Sequence, residues 1–577
     1  MGKVITFNEC PRPQFVRKSY ELLDGTWDFK FDHDNKGEEL KFFEGFEKEY
    51  DILVPFVYQC KMSGIGIEKR CDNVWYSKKL NVELKEGKEY ILHLEGSDYL
   101  TKCYVNGQYV GEEEGGCHRV SFNLTPYLNK GENLLVIKCE DDYSCEKPRG
   151  KQRWKDENFE CWYVDTTGIY KSVWLEEVSC SRVEKVKITP SLSNKNVELI
   201  YELVNAKGRK LTSIVKFDDK EVARKEVVVE NDSETVVIDL PEPVMAWDVD
   251  NPNLYDLTIK LDEVDEVESY FGVREVYAKD GKIYMNGKPL YQKLVLDQGY
   301  FIDSHLTAPS NKALYEDITK MKELGFNGCR KHEKVEDERF EYYADVLGYL
   351  MWSEMPSMYE TTAKSRAAFE KEWLLTMKQQ YNHPCIIVWT VFNESWGIRD
   401  ILTNKVTQSF VNMMYYLTKE YDKTRFVISN DGWEHTVSDI LTIHHYEQDG
   451  NKLHSYFHNV EKALQSVWDG HHKGAMAEGW EYQGQPIMFT EFGGTAHAKR
   501  TEGTANWGYG VGVKDDDEYI ARFRGLIQAL NKLEYSCGYC YTQVSDVQQE
   551  INGVLFEDRE FKVEPRIFKE IQDERND

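Results

Sequence analysis

The sequence predicts three domains: a β-sandwich over residues 1–180, an immunoglobulin-like β-sandwich over 181–274 and a closed (β/α)8 barrel over 275–577. In the first two segments apolar and polar residues alternate at period two between turn residues, which is typical of the short strands of sandwiches. From residue 275 onward, short apolar runs alternate with helical stretches. This change of pattern predicts a change from antiparallel sheets to a barrel of parallel strands.

The first segment contains many short strand candidates. Asn106-Gly107 is a two-residue hairpin signal, because both positions of such a turn favour a positive φ. The alternating stretches are GTWDFKFD, VWYSKKLNVEL, EYILHLEG, KCYVNGQYVGEEEGG and ENLLVIKCED, and strand character resumes at TGIYKSVWLEEV. Between them, PRGKQ (residues 148–152) and Trp162 either form an exposed basic loop or approach the mouth of the barrel.

The second segment holds about seven strand candidates, which is the number expected of an immunoglobulin-like sandwich. The third segment holds eight apolar runs interleaved with helical stretches, and eight such units fit a closed barrel better than an open sheet. The runs that we assign to barrel strands are PLYQKLVLDQ, FNGCRKH, YLMWSEM, CIIVWTVFNE, RFVISNDGW, DILTIHHY, PIMFTEFGG and SCGYCYTQ.

The composition excludes several classes of partner. The chain has 577 residues and a formal net charge of −28, so nucleic acid and anionic membrane surfaces would be repelled. We expect no signal peptide and no membrane span, because no stretch approaches ~20 apolar residues. The 13 cysteines are an odd number without framework spacing, which predicts reduced thiols and a cytoplasmic location. A homo-oligomer is compatible with the sequence.

All eight predicted barrel strands end in polar or aromatic residues. The carboxyl ends of barrel strands are where such folds carry their chemistry, whereas the bodies of these strands are apolar. The residues at these ends are Asp297-Gln298, Arg330 and His332, Trp352 and Glu354, Asn393-Glu394-Ser395-Trp396, Asn430-Asp431-Gly432-Trp433, His444-His445-Tyr446, Glu491, and Tyr541-Thr542-Gln543. This ring of acids, amides, imidazoles and indoles predicts a binding site at the barrel mouth.

Two carboxylates in this ring, Glu394 and Glu491, point to a particular chemistry. They are far apart in the chain, so only the fold could bring them together. Across a barrel mouth they could stand ~5 Å apart, the separation of the two acids in a double-displacement glycosidase. One acid would protonate the departing oxygen and the other would attack the anomeric carbon. The alternative for each is a salt bridge at the rim.

Metal and cofactor chemistry has weaker support. His444 and His445 resemble a metal-binding pair, but adjacent residues of a strand point in opposite directions, so at most one faces the pocket. The chain has no G-x-G-x-x-G after a strand and no Walker loop. We therefore expect no metal and no cofactor.

The same stretches resemble glycoside hydrolase family 2, which includes β-galactosidases, β-glucuronidases and β-mannosidases. The barrel motifs that carry the resemblance are FNESWG, FTEFGG, LDQGY, GFNGCRKHEKVEDERF, MWSEMPS, NDGWEH and TQVSDVQQEINGVL. LDGTWDF, VPF, VWY, YVNGQYVGEEEGG and TTGIYKSVWLE resemble the sugar-binding-type jelly roll of that family, and FGVRE resembles the end of its immunoglobulin-like domain. The resemblance spans nearly the whole chain.

The resemblance implies a role for most of the candidate residues. It implies Glu394 as the acid/base, Glu491 as the nucleophile and Asn393 as an amide that binds a sugar hydroxyl. Further candidate substrate-binding residues are His332, Trp352 and Tyr541, which would line the sugar subsite, Arg330 and Tyr446, which would contact the nucleophile, and Asp297, Trp396 and His444 at other strand ends. Trp507 is either a platform for the leaving group or a buried loop anchor.

The sequence is less informative about the sugar. Glucuronidases of the resembled family carry an Asn-x-Lys pair near the last strand, where this chain has Glu550 and Asn552. We therefore expect a retaining exo-glycosidase acting on a neutral β-glycoside, most plausibly a β-galactoside. A β-glucuronide or β-galacturonide stays open through Lys151, Arg149 or Lys293, as do an α-L-arabinofuranoside and a non-catalytic carbohydrate-binding protein.

Overall fold

The computed structural model describes residues 9–465, 473–497 and 506–575. The first domain is a β-sandwich, as predicted, in which a six-stranded and a four-stranded antiparallel sheet share one apolar core. Asn106 and Gly107 both have a positive φ and turn the predicted hairpin. The strands are Tyr20–Leu22, Gly25–Phe31, Tyr50–Val54, Asn73–Val82, Lys88–Leu94, Ser97–Asp98, Leu100–Val105, Gln108–Glu114, Val120–Asn123, Gly131–Glu140, Gly168–Ile169 and Val173–Ser179.

The second domain packs a three-stranded sheet against a four-stranded sheet. Its core includes Tyr201, Leu257 and Phe271, which are fully buried. Seven strands form the two sheets, which confirms the predicted immunoglobulin-like size: Arg182–Ser191, Asn196–Val204, Lys210–Phe217, Lys220–Val228, Ser233–Asp239, Tyr255–Leu261 and Asp265–Phe271. A small sheet of Val276–Lys279, Lys282–Met285 and Lys288–Pro289 then leads into the third domain.

The third domain is the predicted barrel of eight parallel strands, which we number 1 to 8 in chain order. In that order they are Gln292–Asp297, Gly328–Lys331, Leu350–Glu354, Ile386–Asn393, Phe426–Asp431, Leu441–His444, Ile487–Gly493 and Ser536–Thr542. Hydrogen-bonded neighbours run from strand 5 back to strand 1, on to strand 8 and back to strand 6. The ring closes between strands 5 and 6, where Gly432 N donates to Thr442 Oγ1 at 2.9 Å.

Helices surround the barrel and begin at capping side chains. Ser310, Asp337, Thr362, Asn404 and Asp515 each accept a hydrogen bond from a backbone N–H in the first turn of the helix that follows. The helices are Asn311–Glu323, Glu338–Leu347, Ala363–Gln380, Lys405–Tyr421, Gly450–Phe457, Val460–Leu464, Asp516–Asn531 and Pro565–Asp573. Among the described residues, no helix has the length and apolar character needed to cross a membrane.

The first domain is docked on the barrel through buried polar contacts. Tyr99 of the sandwich donates to Glu372 Oε1 at 2.8 Å, and Lys171 Nζ donates to the backbone oxygen of Val335 at 2.9 Å. A loop of the sandwich also reaches the mouth, where Arg149 N and Gly150 N both donate to Ser357 O. The carboxyl ends of the barrel strands are therefore partly covered by the first domain.

Candidate active site

Glu394 and Glu491 lie together at the barrel mouth. Glu394 follows strand 4, and Glu491 lies within strand 7. One carboxylate oxygen of each and a ring nitrogen of His444 all lie within 4.8 Å of one another. The side chain of Glu394 is 20% exposed and that of Glu491 is 6% exposed, so Glu394 lies nearer the solvent. A sugar entering from solvent would meet both.

The backbone at Glu394 has an uncommon conformation. Glu394 and Ser395 have φ values of 51° and 61°, in the left-handed region that residues with a side chain rarely adopt. The turn is held by hydrogen bonds from Glu394 N to Asp431 O at 2.9 Å and from Ser395 N to Asn430 Oδ1 at 3.0 Å. Strain of this kind persists only where neighbouring structure imposes it, and it is concentrated at functional sites.

Arg330 connects the polar residues of the mouth. Its fully buried guanidinium donates to Glu354 Oε2 at 2.6 Å and to Glu491 Oε1 at 3.0 Å. It also donates to Asn393 Oδ1 at 2.8 Å and lies 2.8 Å from Asp431 Oδ2. Because these bonds run in several directions from one rigid planar group, Arg330 fixes both the position and the charge of Glu491.

His444 lies between the two candidate catalytic carboxylates. Its Nδ1 is 2.8 Å from Glu394 Oε1 and 3.5 Å from Glu491 Oε2, while Nε2 is 3.1 Å from Asp431 Oδ2. Burial alone would lower the pKa of His444, but the charges of Glu491 and Asp431 raise it to about 10. The imidazole is therefore a cation near neutral pH. Its neighbour His445 packs against Tyr456 and Phe457 instead.

Glu491 is held as a carboxylate. Burial alone would raise its pKa, but the nearby cations of His444 and Arg330 and a hydrogen bond from Tyr446 lower it to about 2. The Tyr446 hydroxyl donates to Glu491 Oε2 at 2.5 Å. Tyr509, a residue that the sequence did not suggest, stacks on the Tyr446 ring with centroids 3.3 Å apart. An ionised, oriented carboxylate of this kind is suited to nucleophilic attack.

Asn393 and His332 lie beside this centre. Asn393 Nδ2 faces Glu333 Oε1 at 3.4 Å, and His332 Nδ1 is 2.9 Å from Glu354 Oε1. Glu333 directly follows His332 and is a second residue that the sequence analysis missed. Its carboxylate accepts hydrogen bonds from Ser357 and Tyr359. The alternation of strands and helices gave no signal for Glu333, because this residue lies in the irregular loop after strand 2.

The structure does not bring three of the predicted residues to the mouth. Trp352 is fully buried one layer deeper in the barrel, where its Nε1 donates to Gln292 Oε1 at 2.8 Å, so it offers no surface to a sugar. Tyr541 points outward and packs edge-on against Phe523 of a surrounding helix. Asp297 is occupied by Lys331, whose Nζ lies 2.6 Å from Oδ2. We assign these three side chains to the barrel framework.

Trp396 belongs to an aromatic cluster between the two domains. It is half-buried and contacts Trp162 and Tyr359 edge-on, with ring centroids 5.3 and 5.5 Å away. Trp154 and Phe159 of the first domain complete the cluster. Trp396 comes two residues after Glu394, so this cluster borders the mouth on the side of Glu394.

Trp507 is anchored at the rim. Its Nε1 donates to Glu160 O of the first domain at 2.9 Å, and its backbone pairs with the loop containing Gln549 and Ile551. Its half-buried ring meets Tyr509 edge-on at 5.4 Å. These contacts describe an anchor, and a platform function stays a prediction.

The Glu394, His444 and Glu491 trio has the donor atoms of a small metal site. Two carboxylates and an imidazole are compatible with a divalent cation. A ligating imidazole needs a free lone pair, whereas both ring nitrogens of His444 already face carboxylates, Nδ1 at 2.8 Å from Glu394 Oε1 and Nε2 at 3.1 Å from Asp431 Oδ2. The same side chains therefore also fit a set of direct hydrogen-bonded ion pairs.

Family models match almost the whole chain. The model of glycosyl hydrolases family 2, sugar binding domain, matches residues 20–178; the family 2 model itself matches 181–274; and the family 2 TIM barrel domain model matches 276–574. The chain therefore belongs to glycosyl hydrolases family 2, and the resemblance seen in the sequence is confirmed.

Individual relatives carry two kinds of name. A putative β-glucuronidase of Formosa agariphila is 25% identical over 453 residues, 74% of this chain and 51% of that protein. A β-galactosidase of Thermoanaerobacter pseudethanolicus is 28% identical over 360 residues, 56% of this chain and 45% of that protein. The chain thus spans about half the length of these curated relatives. A solved β-glucuronidase from an uncultured Clostridium species has a TM-score of 0.78 at 18% identity, covering 99% of this chain and 100% of that one, which shows a shared fold.

Proposed function

We propose that the protein is a retaining exo-β-glycosidase that works by double displacement. The observation that carries this proposal is the pairing of Glu394 and Glu491 within 4.8 Å at one barrel mouth. Two carboxyl groups ~5 Å apart leave no room for a water between the sugar and the attacking carboxylate. One carboxylate therefore attacks the sugar directly.

In the first step Glu394 donates its proton to the glycosidic oxygen as the bond from C1 to that oxygen breaks. A carboxylate oxygen of Glu491 forms a new bond to C1 from the opposite face, and the leaving group departs as an alcohol. Asn393, held by Arg330, is placed to bind a sugar hydroxyl, a contact that strengthens as the oxocarbenium-like state develops.

In the second step Glu394, now a carboxylate, takes a proton from a water that attacks C1. The bond from C1 to the Glu491 oxygen breaks, which restores the Glu491 carboxylate and the protonated Glu394. Arg330, His444 and Tyr446 stabilise the Glu491 carboxylate, so they make it a good leaving group in this step. Two inversions at C1 give net retention.

For the sugar, we propose a neutral β-glycoside, with a β-galactoside first. The position that would carry a cation near the last strand holds Asn552, which donates to Glu550 at 3.0 Å. Glu333 and Glu550 add acidic groups to a mouth that already holds Glu394 and Glu491. Carboxylates are good acceptors for sugar hydroxyls but repel the carboxylate of a uronic acid.

A uronide is the second candidate because a lysine of the first domain lies beside the mouth. Of the three basic residues considered from the sequence, Lys293 pairs with Asp573 at 3.0 Å and Arg149 bonds to Asp142 O at 2.7 Å. Within the described part of the chain, Lys151 makes neither kind of contact, and its Nζ donates to Cys161 Sγ at 3.4 Å. Names of relatives include both galactosidases and glucuronidases, so both sugars belong in the first assay.

The deciding assay uses the purified protein and nitrophenyl glycosides of β-galactose, β-glucuronate, β-galacturonate, β-mannose and α-L-arabinofuranose. We expect kcat/KM for the β-galactoside to exceed that for either uronide by about tenfold or more. Faster cleavage of a uronide would overturn the choice of sugar. Binding without turnover of any glycoside would favour a non-catalytic carbohydrate-binding protein.

Azide rescue identifies the nucleophile. Glu491→Gly removes the attacking carboxylate and leaves space, so azide should restore turnover and give an α-configured glycosyl azide from a β-substrate. Glu394→Gly should instead give a β-configured azide, since Glu491 still forms the intermediate. Rescue products of the opposite configurations would reverse the two assignments.

A further inference from the structure

Lys151 has an uncommon position for a lysine. It belongs to the first domain, yet its side chain is 93% shielded at the barrel mouth, with a relative exposure of only 7%. Its Nζ donates to Cys161 Sγ at 3.4 Å and lies 5.7 Å from the centre of the Trp162 ring. Within the described ranges, no carboxylate comes within ion-pair distance of it. Lysine is rarely buried to this extent without a direct ion pair.

The ammonium lies beside the mouth, because the Trp162 ring next to it contacts Trp396 edge-on at 5.3 Å, two residues after Glu394. Burial alone would lower the pKa of Lys151, but Cys161 and the active-site acids Glu333, Glu550 and Glu394 raise it, so the group stays charged. These acids come from the ends of strands 2 and 4 and from the loop after strand 8.

The backbone of Lys151 is linked through Tyr163 to a residue of the mouth. Lys151 O accepts a hydrogen bond from Tyr163 N at 2.8 Å, and the Tyr163 hydroxyl donates to Glu550 Oε2. Lys151, His332 and Glu333 also line one small cavity of about 20 Å³, with room for a water but not for a sugar. The lysine thus borders the same space as barrel residues that adjoin the catalytic pair.

We infer that Lys151 is a substrate-binding and specificity-determining residue, which donates a charged hydrogen bond to one oxygen of the sugar bound between Glu394 and Glu491. The inference rests on the proposed function. The acceptor is either a hydroxyl of a neutral sugar or a carboxylate oxygen of a uronic acid, and both supply the partner that the ammonium lacks. The first domain is then a part of the active site and not only a support.

The test replaces Lys151 by Met, which keeps the length of the side chain and removes the charge. Substrates are nitrophenyl β-galactoside, its 3-, 4- and 6-deoxy forms and the β-galacturonide. We expect kcat/KM to fall about 10- to 150-fold on the best substrate, the loss of one hydrogen bond to a charged group. The loss should vanish on the analogue that lacks the bound oxygen. A larger loss on the galacturonide than on the galactoside would identify the acceptor as a carboxylate.

Thermal unfolding shows that each variant is folded under the assay conditions. Lys151→Met should lower the melting temperature modestly, because neighbouring acids raise the pKa of Lys151 and its charge therefore stabilises the fold. Lys155→Met, in the same loop but exposed, is the matched control and should leave kinetics unchanged. An equal loss on every substrate, the deoxy analogues included, or no loss on any, would overturn the inference.

The same comparison works without turnover. Calorimetric titration of wild type and Lys151→Met with free galactose and galacturonate should show weaker binding to the variant. A wild type that binds these sugars but hydrolyses no glycoside would refute the proposed function while leaving the role of Lys151 to be judged by the titration. Equal affinities of the two proteins for both sugars would refute that role.

Discussion

At the scale of single residues, two tyrosines near the ends of strands 6 and 8 point in different directions. Tyr446, after strand 6, donates to the Glu491 carboxylate, whereas Tyr541 on strand 8 faces a helix. The sequence suggested a role in the site for both. Position along a strand predicts nearness to the mouth, but the direction of a side chain depends on register, which the pattern alone did not fix.

Tyr446→Phe should lower kcat by about 10- to 100-fold, because Glu491 loses a 2.5 Å hydrogen bond that orients it and supports its departure. Tyr541→Phe is the matched control and should leave kcat and KM unchanged. Steady-state kinetics on the best glycoside measures both. If kcat of Tyr541→Phe fell as far as that of Tyr446→Phe, the different directions of the two side chains would have no catalytic meaning.

Glu394→Gln and Glu491→Gln should each lower kcat/KM by at least about a thousandfold on a substrate with a poor leaving group, since each removes a required proton or bond. Unfolding temperatures should stay close to that of the wild type. On a substrate with a very acidic leaving group, Glu394→Gln should keep its first step, which a burst of released phenol would show. Loss of that burst would contradict the acid role.

His444 should make stability depend on pH. Its pKa is raised from 6.5 to about 10, so its contribution is complete below about 6.5 and is lost as the pH rises through 10. The pKa of Glu491 is lowered from 4.5 to about 2, so its contribution is complete above 4.5. The melting temperature of the wild type should therefore exceed that of His444→Gln most at about pH 5 to 6, and the gap should narrow toward pH 10. A gap independent of pH would contradict this linkage.

At the scale of elements, the loop of the first domain that carries Lys151 is fitted closely to the barrel. Gly150 has a φ of 60°, and a Cβ there would lie 2.3 Å from Glu333 O. Its own oxygen accepts a hydrogen bond from Tyr359 at 2.7 Å. Only glycine allows this approach without displacing the loop.

Gly150→Ala should lower both the melting temperature and kcat/KM, because the added methyl group must push the loop and Lys151 away from the mouth. Gly208→Ala, at φ 81° with open space around it, controls for the backbone strain alone. The two substitutions should cost similar backbone strain, but only Gly150→Ala should change kinetics. Equal kinetics for both variants would show that the loop does not contribute to the site.

The elements themselves were largely predictable, and so was part of the site. Periodicity gave the two sandwiches and the eight barrel strands, and the convergence of strand ends placed Arg330, Glu394, His444 and Glu491 in one ring. The depth of Trp352 could not be predicted, because a strand pattern does not show in which layer of the barrel a side chain lies. Contacts between domains or within loops, such as the stacking of Tyr509 on Tyr446, leave no periodic pattern in the sequence and so could not be predicted.

At the scale of the whole molecule, charge should affect which substrates arrive. The net charge of −28 repels an anionic glycoside and does not act on a neutral one. Raising the ionic strength should therefore raise kcat/KM for a glucuronide or galacturonide relative to the β-galactoside, by screening that repulsion. Kinetics from about 10 to 300 mM salt would measure the ratio. A ratio that falls with salt would indicate that local cations, Lys151 foremost, outweigh the net charge.

The proposed chemistry is tested most directly by the configuration of the first product. Proton NMR during hydrolysis of a β-glycoside, recorded before the free sugar mutarotates, should show the β-anomer appearing first, as two successive displacements at Glu491 require. First appearance of the α-anomer would mean a single displacement by water, and would contradict the roles given to Glu394 and Glu491.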